Sequence, residues 1–238
     1  MNHCQLCYAK LSTTDQIYCS ECMPQLPFIN NHCRCCAHPT HIDLEICGHC
    51  QKKPFHFDHA FSIFKYHYPI RPLVLQFKAN NLPNPSQLHQ WFFSAFYHQL
   101  ALESHSLKHE PIKPENSYDA IIAVPSGWIK TIKRGHVPSY QLAQKLSHKT
   151  GIPFLPNVFT KLLFTPSQKR LTKGSRQQKN KFRFNQQALR HIPAPKKILL
   201  VDDVMTTGAS LDELARTLKA SGIEQVDVLT IARTPRTH

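Results

Sequence analysis

The sequence predicts an α/β protein: a parallel sheet flanked by helices, behind a small cysteine-rich N-terminal module. Three observations carry that expectation. All nine cysteines lie between Cys4 and Cys50, and they recur as CxxC pairs. Downstream, short apolar runs alternate with stretches of helical periodicity, as in successive βα units. One of those runs ends in two acids and a hydroxyl-rich loop around a glycine, directly before a helix.

With 238 residues the chain accommodates one α/β domain and a small appendage, expected to divide as 1–53 and 54–238. No stretch approaches the roughly 18 apolar residues of a membrane-spanning helix, and the residues after Met1 are polar, so a cytoplasmic protein is expected. Lys and Arg number 29 against 15 Asp and Glu, a formal charge of +14. That surplus exceeds what solubility requires and points to nucleic acid or phosphorylated ligands.

The cysteine spacing is Cys4-x2-Cys7, Cys19-x2-Cys22, Cys33-x2-Cys36 with Cys35 inside it, and Cys47-x2-Cys50. Each CxxC turn sets two thiolates on one side of a knuckle, and two knuckles supply the four soft ligands of a closed zinc site. Two structural zinc sites follow, Cys4, Cys7, Cys19 and Cys22 for the first and Cys33, Cys36, Cys47 and Cys50 for the second. Cys35 or His49 can replace a ligand in the second. A reducing cytosol argues against disulfides, and no βαβ pattern surrounds the pairs as a thioredoxin-like site would need.

After Lys53-Pro54 the chain turns aromatic, Phe55 to Tyr68 partly alternating as a strand or hairpin. Pro69 to Pro72 can start a helix bearing Leu73, Val74 and Phe77 on one face. From Gln87 to about Leu107, Leu88, Trp91, Phe92, Ala95, Phe96 and Leu102 recur at helical spacing and are expected in the core. Tyr118 to Val124 reads as a buried parallel strand stopped by Pro125-Ser126-Gly127, and a helix from near Ser139 should end at Gly151.

Lys197 to Met205 is the apolar run that ends in Asp202-Asp203. A helix with Leu211, Leu214, Ala215 and Leu218 on its buried side follows, closing at Gly222, and Val226 to Ile231 forms the next strand. In such a βαβ unit an anion sits at the helix N-terminus beyond the strand end. Gly208 lets backbone approach a phosphate there, and the hydroxyls of Thr206, Thr207 and Ser210 add donors. Asp202 and Asp203 suit the vicinal hydroxyls of a ribose or hydrated magnesium.

This strand, acid pair and Thr-Thr-Gly loop resemble the signature for 5-phosphoribosyl pyrophosphate (PRPP) in type I phosphoribosyltransferases. The resemblance implies that fold, with Asp202 and Asp203 on the ribose and Thr206, Thr207, Gly208, Ala209 and Ser210 around the 5-phosphate. It also implies that Val124, Pro125 and Ser126 turn beside the pyrophosphate, with Lys133 and Arg134 in reach. Lys161 to Phe184, rich in Lys, Arg and Gln, reads either as a basic loop over that pyrophosphate or as a solvated surface loop.

The cysteine pairs, Arg134-Gly135 and the pattern Gln168-x2-Leu171-x4-Arg176-x3-Asn180 extend the resemblance to the ComF family of competence proteins. What that implies is a role in natural transformation, with zinc in front, PRPP behind and single-stranded DNA as partner. The sequence departs from the family where His136-Val137-Pro138 replaces the usual Phe-Asn-Gln, and where no glycine follows Lys78. Two functional readings stand: a PRPP-binding protein of DNA uptake, and a salvage enzyme transferring ribose 5-phosphate from PRPP to a nucleobase with magnesium. For the second, only seven residues follow Ile231, so a base-binding hood would have to come from the segment before Asp119, which carries no base-reading signature.

Overall fold

The computed structural model describes residues 3–13, 16–82, 85–107, 114–126, 135–162 and 181–236. The helices are α1 (Gly48–Lys52), α2 (Ile70–Lys78), α3 (Ser86–Leu107), α4 (Pro138–Thr150) and α5 (Ala209–Ala220). The strands are β1 (His59–Lys65), β2 (Ala120–Ala123), β3 (Phe159–Lys161), β4 (Phe182–Phe184), β5 (Lys197–Met205) and β6 (Gln225–Arg233).

Four strands form a parallel sheet in the order β1-β6-β5-β2. β5 and β6 are buried on both faces, which is why they read as continuous apolar runs rather than as alternating ones. Leu199, Val201, Leu229 and Ile231 face a layer made by α2, α3 and α4, where Leu73, Val74, Leu88, Phe92, Phe96, Leu142 and Leu146 are buried. Ile198, Leu200, Val226 and Val228 face the opposite side and meet Leu211, Leu214, Ala215 and Leu218 of α5. Each such leucine contributes roughly 1.5–3 kcal/mol of burial energy before entropy is subtracted. Of the aromatic stripe expected on α3, Leu88, Phe92, Ala95 and Phe96 are buried and Trp91 half-buried; the side chain of Leu102 lies outside the described residues.

The turns fall where the sequence places them. Gly151 takes up a left-handed backbone, φ +78°, and its amide bonds Ser147 O at 2.8 Å to end α4. Gly222, φ +101°, closes the turn after α5. The aromatic stretch from Phe55 yields a single strand, β1, rather than a hairpin of its own.

The N-terminal segment straddles the sheet. Cys4, Leu11, Ile17, Tyr18, Cys22 and Leu26 join the core on the α2 and α3 side, whereas Cys33, Cys36, Cys47 and Cys50 join the core on the α5 side. Between them the chain runs along the outer edge of β1. Ile29 N bonds Ile63 O (2.9 Å), Lys65 N bonds Pro27 O (2.8 Å) and Ala60 N bonds Arg34 O (2.8 Å). An exposed strand edge is thereby covered. Among the described residues no helix is long and apolar enough to cross a membrane.

Candidate functional site

β5 outruns one neighbour. β2 pairs with it only to Ala123 opposite Val201, with Val124 N reaching Val201 O at 2.9 Å, while β6 accompanies it to Met205. Asp202 to Met205 therefore leave one edge open at the carboxyl end of the sheet, the end at which parallel α/β sheets bind ligands. Val124, Pro125 and Ser126 border that opening, and Ser139 Oγ donates to Val124 O at 2.6 Å, fixing the start of α4 beside the turn.

Both acids stand on the open segment. Asp203 meets Lys78 of α2, Nζ to Oδ1 at 2.7 Å, and its own amide donates to Asp202 Oδ1 at 2.8 Å. Burial, and then the like charge of Asp203, push the Asp202 carboxyl up to about 8, against the opposing pull of that amide, Lys78 and Lys161. A bound cation or a hydroxyl donor would favour its charged form.

Thr206 and Thr207 are exposed, and Ala209 N bonds Thr207 Oγ1 at 3.3 Å. Gly208 is buried with φ +80°. A Cβ there would come within 2.8 Å of Met205 Cε and 3.1 Å of Phe55 Cε1, so conformation and space both demand glycine. Gly208 O accepts from Asp212 N at 2.8 Å as α5 begins, and the loop's remaining amides stand at the positive end of that helix. The structure thus brings together Asp202, Asp203, Thr206 to Ser210 and the Val124 to Ser126 turn at one end of the sheet.

Lys133, Arg134, Gln168, Leu171, Arg176 and Asn180 lie outside the described residues. The two ends of the basic 161–184 stretch are held together, β3 pairing antiparallel with β4, and Lys181 N bonds Glu213 Oε1 of α5 at 2.6 Å. Two residues to which the sequence assigned no site role stand at the site: Lys78, through its ion pair, and Arg233, whose Nη1 donates to the carbonyls of Met205 (3.1 Å) and Thr206. Neither carries a local signal, because each reaches its partner across the fold.

The eight paired cysteines form two tetrads, Cys4, Cys7, Cys19, Cys22 and Cys33, Cys36, Cys47, Cys50, with all sulfurs of each within 4.8 Å of one another. Sγ separations of 3.7 Å for Cys7 and Cys19, 3.8 Å for Cys36 and Cys47, and 3.6 Å for Cys47 and Cys50 fit a tetrahedral ion. Metal-to-sulfur bonds of about 2.3 Å would set sulfurs about 3.8 Å apart. All nine thiols are free, and Cys35 and His49 stand outside both tetrads. Burial opposes ionisation of Cys4, yet the amides of Cys7, Cys19 and Leu6 outweigh it and bring the thiol down to about 6, whereas burial pushes the thiols of Cys22 and Cys50 up. Both tetrads can hold a metal ion.

Residues 116–238 match the phosphoribosyl transferase domain family. Competence protein F of Haemophilus influenzae is 28% identical over 232 residues, covering 97% of this chain and 96% of its own. DNA utilization protein YhgH of Escherichia coli K12 is 28% identical over 236 residues, with 97% and 96% covered. Purine phosphoribosyltransferase from Pyrococcus horikoshii superposes at a TM-score of 0.32 and 18% identity, covering 61% of this chain and 84% of that one, too loosely to add to the strand order. The span 116–238 runs from before β2 through β6 and includes the whole Asp202 to Ser210 segment, so the chain belongs to the phosphoribosyl transferase domain family and is homologous with competence protein F and YhgH along nearly its full length.

Proposed function

We propose that this protein binds PRPP, or a related ribose phosphate, with magnesium at the carboxyl end of β5 and serves DNA handling in natural transformation. The observation that carries the ligand is the junction of β5 and α5: two carboxylates on an open strand end, followed by a hydroxyl-lined loop at a helix N-terminus. Asp202 and Asp203 would accept from the ribose hydroxyls, and the amides and hydroxyls of Thr206 to Ser210 would hold the 5-phosphate. Val124 to Ser126 would border the pyrophosphate, with Lys133 and Arg134 contributing charge. Magnesium, when bound, neutralises part of the pyrophosphate charge.

The role in DNA uptake rests on homology with competence protein F and on the +14 charge, which suits single-stranded DNA. We assign zinc to both cysteine tetrads, as a structural element of the 1–53 module that precedes the 54–238 domain. The chain would act in the cytoplasm, reaching the inner face of the membrane through other DNA-uptake proteins.

Calorimetric titration of the zinc-loaded protein with PRPP and magnesium tests the ligand. Micromolar binding that disappears in the Asp202→Ala, Asp203→Ala double variant supports the assignment; equal affinity in the two proteins sinks it.

A second reading is transfer of the ribose phosphate to a nucleobase; a cavity of about 250 Å³ lies near α2, α3 and α4, lined by none of the residues assigned to the ligand. Phe77, His89, Gln141 and Gln144 line it, and Phe77 immediately precedes Lys78, the partner of Asp203. Release of pyrophosphate from PRPP with one particular base would favour transfer; binding without base-dependent turnover would favour the first reading.

A further inference from the structure

Arg233 is fully buried at the end of β6, and a buried guanidinium needs both hydrogen-bond acceptors and compensating charge. Its acceptors come from three segments. Nε donates to Cys36 O at 3.0 Å in the second cysteine tetrad, and Nη1 donates to Met205 O at 3.1 Å, to Thr206 O, and to Thr234 O at 2.8 Å. Arg236 approaches the same tetrad, Nη1 standing 3.9 Å from Cys47 Sγ and Nη2 3.8 Å from Cys36 Sγ. Four thiolates around a divalent ion carry a net charge of about −2, which two arginines match.

Two more contacts join the segment just after the module to the same loop and helix. Phe55, stacked on Phe57 at 4.6 Å, stands against Gly208, and His56 N donates to Asp212 Oδ1 of α5 at 2.7 Å. Among the described residues the first tetrad has no comparable link: its neighbours are α2 and α3, where Gln87 Oε1 accepts from the amides of Ile17 and Tyr18.

We infer that the second tetrad is the anchor of the Thr206 to Ser210 loop, with Arg233 as the positioning residue that holds the carbonyls of Met205 and Thr206, where β5 enters the loop, to the metal-bound knuckle. Metal at Cys33, Cys36, Cys47 and Cys50 then sets the order of the loop and its affinity for a phosphate, and metal at the first tetrad does not. The consequence for affinity rests on the ligand reading proposed above; the consequence for loop order does not.

The test is hydrogen exchange of the 204–212 segment in full-length, zinc-loaded wild type, Arg233→Met and Arg236→Gln, with zinc content and PRPP titration measured on the same samples. In Arg233→Met we expect about two zinc per chain, unchanged protection of 225–232, about tenfold faster exchange of 204–212 and about tenfold weaker PRPP binding. Should Arg233→Met fail to fold, Arg236→Gln decides, with a smaller acceleration in the same segment. Wild-type protection of 204–212 in the deciding variant overturns the inference. Faster exchange in a protein whose wild type binds no PRPP leaves the anchor standing and removes the ligand reading instead.

Discussion

The two cysteine tetrads share a spacing and differ in what they touch. The first, with Cys7 exposed and Cys19 half-buried, packs on the helical layer of α2 and α3. The second is buried throughout, shares a core cluster with Met205 and Leu211, and meets the guanidinium groups of Arg233 and Arg236. Equal ligand chemistry therefore carries unequal consequences. Loss of metal from the first should loosen a packing face, whereas loss from the second should also disorder the loop that presents donors to an anion.

The largest effect is expected from breaking the second tetrad. Cys36→Ser should leave about one zinc per chain by metal analysis and weaken PRPP binding by more than about tenfold, roughly 1.4 kcal/mol or more. Cys7→Ser should lose the other zinc with PRPP affinity within about threefold of wild type. Equal losses of affinity in the two variants would remove the distinction drawn between the tetrads.

Gly208→Ala is expected to come next. A Cβ at φ +80° and 2.8 Å from Met205 Cε should cost about 1–3 kcal/mol in thermal or denaturant unfolding while zinc content stays at wild-type level. The loop would then be disturbed without touching either tetrad, separating its own geometry from its anchor.

The smallest effect concerns Asp202. Its carboxyl is raised from 3.8 to about 8, so the folded state keeps a proton that the unfolded chain has released, and wild-type stability should fall as pH rises from about 4 to 8. Asp202→Asn lacks that titration. Its stability relative to wild type should grow across the window, by an amount on the order of 1 kcal/mol at this half-buried site, and be level outside it. Thermal unfolding of both proteins from pH 4 to 8 checks the sign.

Much of this was legible in the sequence because it is local. The β5-α5-β6 unit, its acid pair and its hydroxyl loop occupy consecutive residues, and a CxxC turn is set by its own spacing. The contacts that join those pieces were not legible. Lys78 reaches Asp203 from another layer, and Arg233 reaches Cys36 across 197 positions, so neither leaves a periodic or spacing signal. Composition likewise could not show that the cysteine module passes around β1 and places its halves against opposite faces of the sheet.

The ligand site is tested most directly by a crystal structure of the zinc-loaded protein with PRPP and magnesium. The 5-phosphate is expected over the amides of Thr206 to Ser210, with the ribose hydroxyls on Asp202 and Asp203. Density for the sugar phosphate elsewhere on the chain, with that loop unliganded, would contradict it.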